Sequence, residues 1–142
     1  MMNPVLIMGP SIAYGGGVSE RFMEALMTNQ LPSNKPAGNG YVDVREVARA
    51  HLLGVKVPEA NGKRFLLQSD ELCKTDFAAV LEKKFGPKGF KIYDWAKHDE
   101  ENVPRNSNKQ SREVLGLKYR PLEETLEDMV ESLIAAGKLK LP

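Results

Sequence analysis

Tyr93 and Lys97 stand four residues apart, a Tyr-x-x-x-Lys pair. On a helix, positions i and i+4 share a face. A lysine ammonium there could lower the phenol's pKa and ready it for proton transfer to a carbonyl oxygen. The neighbourhood argues otherwise, because Phe90 to Trp95 reads as a short strand, where the two side chains share no fixed face. A strand end followed by a solvated lysine is the preferred reading. Gly9-Pro10-Ser11-Ile12-Ala13 places a serine on a turn after an apolar strand, similar to a nucleophile elbow with its last glycine replaced. Such a serine needs a histidine, and only His51 and His98 are present. Asp99 beside His98 says nothing about a triad, which is defined in space, so a strand-ending turn is the simpler account. Gly15-Gly16-Gly17 could cradle an anion at a helix start. Glu20 stands where Gly-x-Gly-x-x-Gly needs its last glycine, and no strand leads directly into the run. A hinge or tight turn is preferred, and no Walker A sequence occurs.

The other polar candidates read as structural. His51 follows Asp43 on a helix and lacks a second ligand at metal-binding spacing, so it is expected to be a partly buried packing residue. Asp43, Arg45 and Glu46 fit a helix cap and surface salt bridges better than a catalytic acid pair. Cys73 is the single cysteine, which excludes an internal disulfide framework and a Cys-rich metal site. Composition narrows the class further. The 142 residues suit one domain, and 20 Lys+Arg against 19 Asp+Glu leave a net charge of +1. That balance argues against nucleic acid or an anionic membrane as the main partner. No apolar run reaches the roughly 20 residues that span a bilayer. Met1 to Pro10 lacks the pattern of a signal peptide, so a cytoplasmic location is expected.

These residues must be held by an alternation of strands and helices, which points to an α/β fold. Val5 to Met8, closed by Gly9-Pro10, reads as a strand buried on both faces, as in a parallel sheet. Ser19 is the expected cap of a helix running to about Thr28, and 31–40 reads as an exposed loop. Asp43 and Glu46 fit a capping box opening a helix to about Val55. Lys63 to Gln68 reads as a second buried strand, and a helix follows from Lys74 or Thr75 to Phe85. Ser107 is the expected cap of a short helix ending at Gly116. Pro121 opens a last helix with an apolar face from Leu122 to Ile134, closed by Gly137.

In order and spacing, several of these segments resemble the extended short-chain dehydrogenase/reductase family. The similarity is to its dihydroflavonol-reductase-like branch, among the NAD-dependent epimerase/dehydratase type. They are Asn3-Pro4 with Val5 to Pro10, Gly40 to His51, Gly62 to Leu67, Ser111 to Gly116, and Leu122 to Leu126. The strongest is Asp43 to His51, although Glu46 replaces the family's more familiar aspartate. The resemblance implies the C-terminal part of a Rossmann-type extended reductase, a few parallel strands plus a mainly helical substrate-binding lobe. Residues 1–142 are then expected to form a single unit lacking the N-terminal dinucleotide-binding half. Pro10 to Gly40 and Glu71 to Gly116 would belong to the lobe.

The resemblance further implies reduction of a carbonyl of the dihydroflavonol, aldehyde or ketone type with NADP or NAD. Hydride would leave the nicotinamide while a tyrosine, helped by a lysine, supplies the proton. Pro4, Val5 and Ile7 would line the nicotinamide end. Ser11, Tyr14 and Phe22, which follow that strand, are candidate substrate contacts. The family's glycine-rich cofactor motif and its Ser, Tyr and Lys do not precede Asn3, and Tyr93-Lys97 lies on the wrong side of it. The chain alone is therefore expected to be inactive and to bind no cofactor tightly. The alternative is a non-catalytic binding or interaction module of the same descent. An uncovered sheet edge would favour self-association in either case.

Overall fold

The computed structural model describes residues 1–12, 16–31, 40–69, 74–93 and 106–142. Two parallel ladders organise it. Strand β1 (Met2–Pro4) pairs with β4 (Phe65–Leu67), and β2 (Leu6–Met8) pairs with β3 (Tyr41–Asp43). The expected first strand is thus longer than Val5 to Met8 and serves two partners in turn. The Val5 N–H donates to the Leu67 carbonyl at 3.2 Å, and the Ser69 N–H donates to the Tyr41 carbonyl at 2.7 Å, tying the ladders together. The parallel pairing expected for an α/β sheet is present in both.

Strand alternation sends successive side chains to opposite faces, and here it feeds two cores. Leu6, Met8 and Tyr41 join a large cluster with Met23, Leu26, Phe77, Leu81, Phe85, Leu126, Met129 and Leu133. Val5, Ile7 and Val42 turn the other way, onto Ala50, Phe65, Leu67, Leu115 and Leu117. The helices follow from the same patterning. In α5 (Leu122–Ala135), Leu122, Thr125, Leu126, Met129, Val130 and Leu133 form the buried stripe, which packs against α3 (Lys74–Phe85). Between β3 and β4, α2 (Val44–Lys56) buries Glu46 and Ala50 against the strands, and α4 (Lys109–Leu115) packs beside it. Gly116 ends α4 in the left-handed region at φ +62°, where a side chain would be strained.

Four local expectations are corrected. The helix α1 (Val18–Met27) is capped by Gly17 rather than Ser19, because the Glu20 carboxylate accepts the Gly17 N–H at 2.8 Å and closes the first turn two residues early. Asn108, not Ser107, caps α4; its amide side chain is held by the Gln68 and Ser69 carbonyls, both at 2.8 Å. Asp43 caps α2 by accepting the Arg45 N–H, but Glu46 does not return to it, since Arg120 takes the Glu46 carboxylate instead. Phe90 to Tyr93 is not a strand. Phe90 stacks edge-on to Phe85 with centroids 6.2 Å apart, and the Tyr93 N–H is spent on the Leu26 carbonyl at the end of α1.

Candidate cofactor and substrate face

Two charged networks hold the turn that follows β2. In the first, Asp43 is buried to 1% exposure and grips Arg45 twice over, Nε to Oδ1 at 2.9 Å and Nη2 to Oδ2 at 2.7 Å. Arg45 also reaches Asp128 on α5 at 2.6 Å. Burial pushes the Asp43 carboxyl up, but the hydrogen bonds from Arg45 outweigh it and leave the pKa below its ordinary value. The same bonds raise the Arg45 guanidinium. Gly9, at φ +108°, lies against this carboxylate; a Cβ there would meet Asp43 Oδ2 at 3.0 Å. The strand-ending turn is thus shaped by an ion pair that also caps α2.

Arg120 joins Glu46 to Glu124, bonding the latter from Nε at 2.9 Å. Glu46 is 3% exposed, and its second oxygen has no partner among the described residues. Burial, then the Asp43 charge, raise its pKa, against the pull of Arg120. In the second network, Glu20 collects the Ser11 hydroxyl, the Gly17 N–H and the Lys138 ammonium, the last at 2.7 Å. Lys138 foremost, and then Ser11, lower the Glu20 pKa to about 2. The Ser11 N–H donates to Ser132 Oγ at 3.0 Å.

The residues singled out in the sequence fall into this frame unevenly. Pro4 is exposed at the end of β1, while Val5 and Ile7 turn half-buried side chains into the second core. Ser11 is a tether between α1 and α5, with its hydroxyl held by Glu20. Phe22 packs half-buried against the first core. His51 is exposed rather than partly buried, with Nδ1 2.8 Å from the Val47 carbonyl. Tyr14, Gly15, Cys73, Lys97 and His98 lie outside the described residues. Arg120, Asp128 and Lys138 escaped sequence reading, since partners 74 to 118 residues away leave no local signal. Glu20 was legible, standing three residues after Gly17 as a capping carboxylate does.

A dinucleotide needs donors for its phosphates. Helices α1 and α2, which follow β2 and β3, already carry a carboxylate at the N-terminus, Glu20 and Asp43. A phosphate there would meet negative charge, so these termini are not cradles for it. Among the described residues, no group of three or more His, Cys, Asp or Glu side chains converges on a metal position.

No protein-family profile matches the chain. Individual relatives do. Cinnamoyl-CoA reductase 1 of Petunia hybrida is 31% identical over the whole chain, which spans 42% of that relative. The NADPH-dependent methylglyoxal reductase of Saccharomyces cerevisiae is 28% identical over 94% of the chain and 42% of its own length. The crystal structure of Gre2 from Candida albicans superposes with a TM-score of 0.76 at 27% identity, over 96% of this chain and 44% of that one. These homologues are reductases of the extended short-chain dehydrogenase/reductase family, each matched over only part of its length.

Vestitone reductase from alfalfa, at 19% identity, shares the fold with a TM-score of 0.75. The chain spans about two fifths of the length of the curated relatives it matches. The α/β architecture with parallel strands and a mainly helical lobe is the one those solved reductases share. No described helix is long and apolar enough to cross a membrane.

Proposed function

We propose that the chain is the substrate-lobe portion of an NADPH-dependent reductase of small carbonyl compounds, acting in the cytoplasm. The observation that carries this is the pairing of a reductase fold with an exposed Pro4 at the end of a strand that continues straight into the lobe. The relatives support it: one is described as an NADPH-dependent methylglyoxal reductase, and a solved yeast relative is a methylglyoxal/isovaleraldehyde reductase complexed with NADPH. Bound nicotinamide supplies the hydride. Pro4 and the backbone of Val5 and Ile7 flank the ring. Ser11 and Phe22 follow that strand on the way into the lobe and contact the carbonyl compound, and Tyr14 joins them by its place in the sequence. The Asp43–Arg45 pair fixes the Gly9-Pro10 turn between the two. The phosphates are gripped by a separate dinucleotide-binding part, since Glu20 and Asp43 occupy the starts of α1 and α2.

Alone, the chain is expected to oxidise no NADPH with methylglyoxal or isovaleraldehyde and to bind NADPH weakly. Fused behind the dinucleotide-binding part of the yeast methylglyoxal reductase, it is expected to restore turnover. A folded fusion that binds NADPH yet reduces no aldehyde or ketone would overturn the reading. It would leave a non-catalytic module of the same family.

A further inference from the structure

An open groove of about 790 Å³ runs between α2 and the segment leading into α5, and neither Pro4 nor Gly9 lines it. Its charges are unevenly matched. Arg45 is neutralised by Asp43 and Asp128, and Arg120 by Glu46 and Glu124. Arg49 and Lys118 line the same groove, both exposed, and neither has an acidic partner among the described residues. Apolar surface lines the groove as well: Ala48 is exposed, and Leu52 keeps 61% of its area in solvent. Two cations without an acidic partner among the described residues, sharing a groove with a bare leucine, make a surface complementary to a segment that carries carboxylates and an apolar side chain.

We infer that this groove docks an acidic peptide segment of a partner protein, its apolar side chain on Leu52 and its carboxylates on Arg49 and Lys118. The inference goes beyond the reductase reading and does not depend on it. A nucleic-acid backbone fits less well, because two free cations release few counterions. Tyr119, the aromatic side chain of the groove, is half-buried under Arg112 and bonded to Ser111.

The test is fluorescence polarisation with a labelled hexapeptide carrying two central leucines and two glutamates on either side. A matched peptide with lysines for glutamates is the control. The acidic peptide should bind saturably and more weakly as salt rises. Arg49→Glu with Lys118→Glu should weaken it at least tenfold, and Leu52→Ser several-fold. Lys140→Glu, an exposed cation elsewhere, should leave it unchanged. Circular dichroism of each variant separates lost binding from lost folding. No saturation up to roughly 1 mM peptide, equal binding of the lysine peptide, or indifference to the double reversal would overturn the proposal. So would sedimentation showing a self-association that the double reversal abolishes, since the groove would then belong to a second copy.

Discussion

Asp43 accepts the backbone of Arg45 and both arms of its guanidinium while nearly out of contact with water. Carboxylates so buried persist only when paired, and breaking such a pair strands the remaining charge. Arg45 is a third exposed, so water and Asp128 soften the loss. Asp43→Asn should therefore cost about 2–3 kcal/mol, read as a lower urea midpoint. Glu20 makes a second prediction, on pH. Its folded pKa, lowered to about 2, lies below the ordinary carboxylate value of 4.5. The stabilisation is thus present above pH 4.5 and disappears as pH falls toward 2. Glu20→Gln should lower stability near neutrality by about 1–2 kcal/mol. Urea unfolding at stepped pH should show the gap to the parent chain closing over that interval. Glu46 has the opposite sign. With its pKa raised, ionisation favours the unfolded chain as pH climbs through the carboxylate range. The gap between parent and Glu46→Gln should shift in favour of the variant from pH 4 to pH 7.

The elements were legible wherever a single periodicity decided them. The stripe from Leu122 to Ile134 specified α5, and the Phe65-Leu66-Leu67 run specified β4, to within a residue or two. Phe90 to Tyr93 misled because four apolar-rich residues suit a strand as well as a segment pinned to a core by Phe90 and to α1 by one amide. The α4 cap moved by one residue because the distant Gln68 and Ser69 carbonyls hold the Asn108 side chain, and at α2 the cap stayed on Asp43 while Arg120 drew Glu46 away from it. The Gly9-Pro10 turn was read as a strand ending, but the reason it needs glycine is the Asp43 carboxylate arriving from β3, a contact no local window contains. That turn yields an element-scale prediction. Gly9→Ala forces an alanine to φ +108° against Asp43 and should cost about 1–3 kcal/mol. Leu126→Ala, opening a cavity in the first core, should cost about 2–5 kcal/mol. Differential scanning calorimetry would rank the two, and an alanine at position 9 that leaves the midpoint unmoved would contradict the crowding.

At the scale of the molecule, the two cores differ in how completely they are covered. The first is wrapped by α1, α3 and α5. The second lies between the strands, α2 and α4, and α2 leaves Leu52 and Val55 on its outer side at 61% and 89% exposure. Among the described residues, β1 pairs with β4 and with no other strand. Met1 and Val5 spend their backbone groups on β4. Alternation along a strand therefore turns the N–H of Met2 to the opposite edge, where Pro4 has none to offer. A strand edge with a free donor templates pairing with another chain. Dilution series in the analytical ultracentrifuge should then show concentration-dependent dimers or larger species. Met2→Pro should shift the chain toward monomer, because it removes that donor and leaves the β4 ladder its own bonds. Unchanged far-ultraviolet circular dichroism would show that the variant still folds. A parent chain that stays monomeric across the series would mean that this edge is closed to other strands, with Pro4 alone enough to guard it.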